Sequence, residues 1–178
     1  MKKLLMTICA VCLLGYAANA QFHIEMGLNF NSPQGDFGDA YDLGVGFYLE
    51  PKYATSENLD LGLLIGSNGF AGADFNGQSF GATAALVILP TATYRFSGNK
   101  VTPYAGLGLG LYNFKAADID VTVGGTTTTL TGESESKFGF APRAGVYLGR
   151  MNLGAAYNIV SDANYIQFNL GVRILSRD

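Results

Sequence analysis

Apolar and polar side chains alternate with a period of two along most of this chain, and this pattern restricts the possible folds more than any other feature. Between residues 22 and 31, one set of alternate positions is apolar throughout: Ile24, Met26, Leu28 and Phe30. The intervening positions are polar or small: His23, Glu25, Gly27, Asn29 and Asn31. Successive side chains of a β-strand point to opposite faces, whereas no helical period reproduces this division. The segment is therefore predicted to be a strand with one apolar face.

Seven further segments repeat the alternation. The eight predicted strands are Phe22–Asn31, Leu43–Tyr53, Leu59–Ser67, Gly81–Phe96, Thr102–Phe114, Lys137–Gly149, Met151–Val160 and Tyr165–Leu175. The connections are long after the first, third and fifth strands and short after the second, fourth and sixth. The connection after the seventh strand, residues 161–164, is also short. An even number of antiparallel strands, with loops at one end and tight turns at the other, is typical of outer-membrane barrels.

Two kinds of local irregularity are predicted within this pattern. Pro90 and Pro142 lie inside the fourth and sixth predicted strands. Because proline cannot donate to a strand ladder, a bulge or register break is expected at each. In the longest loop, two β-rich runs at 119–123 and 126–130 flank Gly124–Gly125, a pair that favours a tight turn. These runs are predicted to form a hairpin that extends the fifth and sixth strands.

The N-terminus has the three parts of a secretory signal. Lys2 and Lys3 precede an apolar stretch from Leu4 to Leu14, and Ala18-Asn19-Ala20 matches a small-x-small cleavage site. We therefore expect residues 1–20 to be a cleaved signal peptide and residues 21–178 to form one barrel domain. Both cysteines lie inside the signal, so the mature chain is expected to have no disulfide and no thiolate chemistry.

Composition shows how the apolar residues must be arranged. Hydrophobic residues make up 48% of the chain and charged residues only 14%, against about 25% charged in ordinary soluble domains. No apolar run of about 18 residues follows the signal, so a transmembrane helix is not expected. A chain that is apolar without an apolar run distributes its hydrophobic residues by alternation. That distribution predicts an all-β, closed, eight-stranded, antiparallel up-and-down transmembrane barrel.

The two faces of the predicted strands differ in a way that decides which one points outward. One face carries most of the strand glycines and a set of charges expected to form a structural network in the lumen: Glu25, Glu50, Lys52, Asp60, Arg95, Arg143 and Arg173. The other is expected to face lipid through Ile24, Leu28, Val45, Phe47, Leu61, Leu63, Leu107, Leu109, Val146, Leu153, Phe168 and Leu170. A soluble barrel would reverse this assignment. Small residues beside large tyrosines suit a narrow interior, which favours the membrane barrel.

Two segments carry a resemblance to a known family. Residues 103–110, Pro-Tyr-Ala-Gly-Leu-Gly-Leu-Gly, and residues 167–174, Gln-Phe-Asn-Leu-Gly-Val-Arg-Ile, resemble strands of the small outer-membrane barrels of the outer-membrane protein X, W and A type. The resemblance implies export through the general secretory pathway to the bacterial outer membrane. It also implies insertion by the barrel-assembly machinery and contact with outer-membrane lipid and lipopolysaccharide as a monomer. The chain departs from the family pattern by ending Leu175-Ser176-Arg177-Asp178, without a terminal aromatic residue.

No residue set points to catalysis. His23, the only histidine, opens the first strand, and spacing identifies no nucleophile or acidic partner for it. The lumen carboxylates share their face with four cations, an arrangement that suits ion pairing better than acid–base work. The loop acids Asp36, Asp39, Asp42 and Asp74 do not make a complete calcium loop. We expect no enzyme activity, cofactor or metal.

Three functions remain possible. The first is a structural or surface-interaction barrel with long loops on the cell exterior and a lumen filled by polar side chains. The second is a narrow porin-like or lateral path for small, even apolar, solutes, suggested by Leu64, Val87 and Leu89 on the inner face. An outer-membrane lipid-modifying enzyme is the third and least supported. Without the signal lysines, 9 basic residues stand against 14 acidic ones, which does not favour nucleic-acid binding.

Overall fold

The computed structural model describes residues 22–75, 78–79, 81–98, 100–117, 119–123, 126–130 and 132–174. The predicted signal peptide, the C-terminal residues 175–178 and the Gly124–Gly125 turn lie outside the described residues. Within them, eight long strands form a closed barrel in which each long strand pairs with the next long strand along the chain and the last pairs with the first. Every neighbouring pair in the barrel is antiparallel. The predicted eight-stranded up-and-down barrel is confirmed.

The elements follow one another along the chain as β1 (Phe22–Pro33), α1 (Asp36–Ala40), β2 (Tyr41–Ala54), β3 (Leu59–Gly72), β4 (Asp74–Phe75), β5 (Gln78–Ser79), β6 (Thr83–Arg95), β7 (Val101–Ala116), β8 (Ile119–Val123), β9 (Thr126–Leu130), β10 (Ser134–Leu148), β11 (Met151–Val160) and β12 (Tyr165–Arg173). The short connections between β2 and β3, between β6 and β7, and between β10 and β11 lie at one end of the barrel, called here the turn end. The opposite end is called the loop end. Strands β8 and β9 pair as the predicted hairpin.

Neither predicted proline bulge is present. Pro90 faces Leu63 in an uninterrupted ladder with β3, and Pro142 faces Leu107 in an uninterrupted ladder with β7. On the other side of each proline the ladder skips two positions and resumes in the same register. Both prolines are exposed on the outer surface, so each loses hydrogen bonds on one side without shifting the strand. The register shift instead lies between Tyr41 and Gly44 of β2.

Two small elements were not predicted. The β4–β5 hairpin lies between β3 and β6. Helix α1 occupies the connection between β1 and β2, and Gly35 before it adopts a φ of 59°, which a residue with a side chain rarely adopts. The helix turns Phe37 into the barrel, where only 6% of that residue is exposed. The loop end is therefore closed by a side chain rather than left open.

Among the described residues, no helix is long and apolar enough to cross a membrane.

Candidate functional site

The predicted outward residues lie on the outer surface of the barrel. Ten of the twelve are between 38% and 65% exposed, a range set by Leu63 and Val45. The other two, Ile24 and Val146, are half-buried on the same surface. Each alternates with an inward residue along its strand, as the burial patterns of β1 and β10 show. None of the twelve lies on β6, where Leu86 and Ile88 are 48% and 40% exposed, so the outer wall carries apolar side chains on every strand of the barrel.

Glu50 on β2 is the centre of the interior charge network. Its carboxylate is fully buried and accepts two hydrogen bonds from the Arg143 guanidinium, at 2.6 Å to Oε1 and 3.0 Å to Oε2. Thr91 Oγ1 donates to Glu50 Oε1 at 2.6 Å, and Lys52 Nζ lies 3.1 Å from Oε2. Arg143 also donates to Thr93 Oγ1 at 2.6 Å. A bidentate arginine pair of this kind is among the strongest and most directional charge contacts in proteins.

Glu25 on β1 is the second carboxylate of the network. Lys52 Nζ donates to Glu25 Oε2 at 2.8 Å, so this lysine bridges the two carboxylates. The hydroxyls of Tyr48 and Tyr147 donate to Glu25 at 2.7 Å and 3.0 Å, and the Asn152 amide donates to it as well. Both oxygens of Glu25 are therefore engaged. Together Glu25, Glu50, Lys52 and Arg143 balance two negative charges with two positive ones across the barrel.

Asp60 on β3, Arg95 on the adjacent β6 and His23 on β1 form a smaller group at the turn end. Arg95 Nε lies 3.1 Å from Asp60 Oδ2, and Arg95 Nη2 donates to Asp60 Oδ1 at 3.1 Å. His23 Nε2 lies 3.8 Å from the same carboxylate. The Arg95 guanidinium also donates to the Glu57 backbone carbonyl at 3.0 Å and so ties the β2–β3 turn to β6. These contacts join β1, β3 and β6 at the turn end of the barrel.

Arg173, the last of the predicted lumen charges, interacts differently from the others. Its guanidinium carbon lies 4.2 Å from the centre of the Tyr147 ring, a cation–π distance. Among the described residues, no carboxylate lies within 4.0 Å of it. Through Tyr147 it contacts the network without being one of its ion pairs.

Above the charges, toward the loop end, the interior becomes amide-rich and then aromatic. Asn29 donates to Asn68 at 3.0 Å, Asn68 donates to the Tyr165 hydroxyl at 3.3 Å, and Tyr112 donates to Asn158 at 2.8 Å. Farther out, Phe37 stacks against three rings at centroid distances of 4.8 to 5.7 Å: Tyr41, Phe70 and Phe114. The alternation of side chains along each strand predicts that most of these residues point inward. It does not predict which of them contact each other, or that Phe37 enters the barrel from a loop.

The interior is filled rather than hollow. One cavity inside the barrel measures about 20 Å³, enough for about one water molecule. Its lining includes Glu25 and Arg143 together with Leu64, Leu89 and Ala141. Residues Leu64, Val87 and Leu89, which suggested a solute path, are buried at 9%, 2% and 3% exposure and belong to the packed interior.

The contacts of the interior side chains suit a structural role better than a catalytic one. The network carboxylates are held by cations and hydroxyls, which leaves them poorly suited to take up or release a proton during a reaction. Among the described residues, no group of three or more histidine, cysteine or acidic residues could hold a metal ion. Asp36 and Asp39 lie in the first turn of α1, and the side chain of Asp74 lies outside the described residues.

Comparison with known proteins identifies the fold. No protein-family model and no curated protein sequence matches the chain. Among solved structures, Neisserial surface protein A is 19% identical with a TM-score of 0.54, covering 86% of this chain and 96% of its own. Ail, the attachment invasion locus protein of Yersinia pestis, is 20% identical with a TM-score of 0.51, covering 88% and 99%. The outer membrane protein OprG from Pseudomonas aeruginosa is 12% identical with a TM-score of 0.56, covering 88% and 97%.

The chain has the fold of the small outer-membrane barrels. The resemblance drawn from residues 103–110 and 167–174 is confirmed at this level, and both segments lie in barrel strands, β7 and β12. At sequence identities of 12% to 20%, the similarity is one of backbone fold alone.

Proposed function

We propose that this chain is an integral barrel protein of the bacterial outer membrane, delivered there by its signal peptide. In this proposal its role is structural and surface-interacting, with the loop end on the cell exterior. The observation that carries the proposal is the inside-out distribution of side chains. Ion pairs and amides fill the interior, while among the described residues thirty large hydrophobic side chains are exposed on the outside.

The physical argument follows from the solvent that each surface requires. A soluble monomer rarely exposes an apolar patch of more than a few hundred Å², yet here the apolar surface encircles the barrel. Hydrocarbon is the medium in which such a surface is stable. Closure of β1 on β12 leaves the barrel sheet without a free edge strand, as a bilayer demands of any spanning sheet. The interior ion pairs lower the other cost of insertion, because Glu25, Glu50, Lys52 and Arg143 each have a partner of opposite charge.

The proposed surface role is supported by the difference between the connections at the two ends of the barrel. The turn end has short connections, whereas the loop end carries α1, the β4–β5 hairpin and the β8–β9 hairpin. Two proteins of similar fold are named as a surface protein and an attachment protein. We propose that the loop end meets the environment in the same sense, that lipopolysaccharide surrounds it and that the barrel-assembly machinery inserts the chain as a monomer.

The test is folding of residues 21–178 with and without a membrane mimic. In detergent or vesicles the protein should give β-type circular dichroism and run at a different position on a gel when it is not boiled. In plain buffer it should aggregate or stay unfolded. A protein that folds in buffer and shows no heat-dependent shift would overturn the proposal. Protease treatment of intact cells should then cleave at the loop end only.

A narrow porin-like path is the second candidate, and one observation favours it. Leu64 and Leu89 contribute apolar side chains to the lining of the interior cavity, alongside Glu25 and Arg143. The cavity holds about one water molecule, and the Phe37 ring covers the loop end above it. We therefore expect no stable single-channel conductance from the wild-type barrel in a planar bilayer, and a reproducible channel would favour the porin-like reading. A lipid-modifying activity has no comparable support, since His23 lies at the turn end beside Asp60 and Arg95.

A further inference from the structure

A buried amide near the loop end has no hydrogen-bond partner. Asn31 lies on the inner face of β1 and is 1% exposed, yet among the described residues neither its Nδ2 nor its Oδ1 makes a hydrogen bond. The preceding inward amide on the strand is bonded through both atoms: Asn29 donates to Asn68 at 3.0 Å and accepts from Gln167 at 3.3 Å. A buried donor and acceptor that stay unbonded are costly, so the Asn31 amide requires an explanation.

Asn31 borders the aromatic cluster at the loop end. Its cross-strand partner on β2 is Gly44, which in turn pairs with Phe70 on β3. The Phe70 ring packs against Gly44, since a Cβ added to that glycine would lie 2.7 Å from Phe70 Cδ1. The same ring contacts the Tyr165 ring on β12 at a centroid distance of 5.3 Å. Because β1 and β2 lie between β3 and β12, this contact crosses the inner face of β1 close to Asn31.

The ring of Phe37 completes this cluster. It lies 5.1 Å from the Phe70 ring and 5.7 Å from the Phe114 ring, at interplanar angles of 76° and 72°. Such edge-to-face contacts are favourable for aromatic rings. Phe70 and Phe114 belong to barrel strands, whereas Phe37 belongs to the connection between β1 and β2. The strands therefore form a cup for one flat ring, called here the ring cup and made by Asn31, Phe70, Phe114 and Tyr165.

Helix α1 is attached to the barrel at its two ends. Phe37 is its buried residue, and Gly35 before it has a φ of 59°. Glycine changes between such backbone conformations at low steric cost, which suits a hinge. Among the described residues, two backbone hydrogen bonds join the segment 34–40 to other parts of the chain: Gln34 N to the Asn164 carbonyl at 2.9 Å and Ala73 N to the Ala40 carbonyl at 3.0 Å. Between these two attachments, the Phe37 ring holds the helix against the barrel.

From this geometry we propose that the ring cup is a binding site for a small neutral aromatic amide, and that Phe37 occupies it until the ligand displaces α1. The ligand ring takes the place of the Phe37 ring. Its amide N–H donates to Asn31 Oδ1, and its carbonyl accepts from Asn31 Nδ2, a pairing that the donor and acceptor of one asparagine allow. No residue of the ring cup is charged, so a charged ligand would lose its hydration without gaining a partner.

The site is closed toward the turn end, because the amide layer and the charge network fill the lumen beneath it. Binding therefore requires no passage through the barrel. The proposal rests on the proposed function, which places the loop end where a compound outside the cell can reach it. It gives the proposed surface role one defined ligand class.

The test uses benzamide as the probe and the mature barrel, residues 21–178, in vesicles. The chain contains no tryptophan, so Phe37→Trp places a single fluorescent reporter in the ring cup. Benzamide should shift its emission to longer wavelength and saturate, because the indole ring leaves the barrel interior for water. The matched control is Phe47→Trp on the outer wall, where Phe47 is 62% exposed. Its emission should not change.

Acetophenone tests the amide pairing, because a methyl group replaces the amide nitrogen of benzamide and the ring and carbonyl are kept. It should bind about tenfold more weakly than benzamide, since Asn31 Oδ1 would stay unbonded. Asn31→Leu in the Phe37→Trp barrel should abolish this difference. Asn31→Leu should also keep the urea midpoint of the ligand-free barrel, whereas Asn29→Leu, which breaks two hydrogen bonds, should lower it.

Calorimetry with Phe37→Ala gives a second readout that needs no tryptophan. This variant should bind benzamide about tenfold more tightly than wild type, because no ring has to leave the ring cup first. Heat-shift gels on the same samples show whether each variant is a folded barrel, which separates failure of the site from failure of the proposed function.

Four results would each overturn the proposal. The first is a Phe37→Trp emission that does not saturate with benzamide or that changes no more than that of Phe47→Trp. The second is equal binding of benzamide and acetophenone to the barrel that retains Asn31. The third is equal affinity of Phe37→Ala and wild type for benzamide. The fourth is an equal loss of stability in Asn31→Leu and Asn29→Leu, because Asn31 would then have a structural partner.

Discussion

Replacing Glu50 by glutamine tests whether the interior network is a paired charge cluster sealed from solvent. Glutamine keeps the size of the side chain and removes its charge. In the folded barrel this leaves Arg143 without its bidentate carboxylate and Lys52 with Glu25 alone. The side chains of Glu50, Lys52 and Arg143 are 0%, 1% and 11% exposed, so water cannot easily replace the lost partner.

The expected loss of stability follows from that burial. Removing one partner of a buried pair costs about 3–5 kcal/mol, because the remaining charge is left uncompensated. Exposed pairs contribute at most about 1 kcal/mol. A denaturant slope of about 2 kcal/mol per molar urea would turn the buried value into a midpoint shift of about 2 M. The second variant, Arg143→Gln in the Glu50→Gln background, should recover part of this loss, since it removes the orphaned charge.

The assay is urea unfolding of the vesicle-inserted barrel, followed by far-ultraviolet circular dichroism and by heat-shift gels. The chain contains no tryptophan, so the usual indole fluorescence cannot report on it. Glu57→Gln is the matched control, because Glu57 lies exposed in the β2–β3 turn. If Glu50→Gln shifts the midpoint no more than Glu57→Gln does, the interior is solvated and the description of a sealed network is wrong.

Three other substitutions probe the wall, the aromatic layer and the packing of the lumen. Leu107→Arg, on the outer face of β7, should destabilise insertion by about 2–4 kcal/mol; insertion into vesicles at the wild-type level would contradict the outward assignment. Phe37→Ala should remove the aromatic cover yet leave bilayer conductance at the wild-type level, because the charge layer below still closes the barrel; a steady new conductance would make the aromatic layer the barrier. Gly171→Ala should cost about 1–3 kcal/mol in urea unfolding, because its methyl group would meet the buried Tyr48 hydroxyl. Gly66→Ala is its control and should cost less, since the nearest atom lies 3.3 Å from an added Cβ.

Much of the fold could be predicted because it depends on the alternation of side chains along single strands. A strand shows alternate faces whatever its partners are, so the number of strands and the face that carries the charges follow from a period-two pattern. The ends of the strands were harder to predict from the sequence. The strands β3, β7 and β10 continue beyond their predicted limits at the loop end, to Gly72 and Ala116 and from Ser134. There the outward residues turn small or polar, and the alternation that marks a strand fades.

The proline predictions failed for a different reason. Pro90 and Pro142 each lack a backbone N–H donor. The neighbouring strand that loses this hydrogen bond is set by how the strands pair in the folded barrel. In the folded barrel, each proline keeps a continuous register with one neighbour and leaves a gap with the other. The bulge at Asp42–Leu43 had no comparable sign in the sequence. It lies where α1 joins β2 and the chain re-enters the wall.

The sequence by itself determined the number of barrel strands, their antiparallel up-and-down order and the separation of apolar from charged side chains. The first and last follow from the spacing of side chains along each strand, and the order follows from the alternation of long and short connections. Tertiary structure decided which charges meet. Glu50 and Arg143 are 93 positions apart and come together only when the sheet closes across a narrow interior. Closure likewise placed Phe37 among the inward-facing rings of Phe70 and Phe114. Contacts of this kind depend on register and on the curvature of the wall, which no single strand encodes.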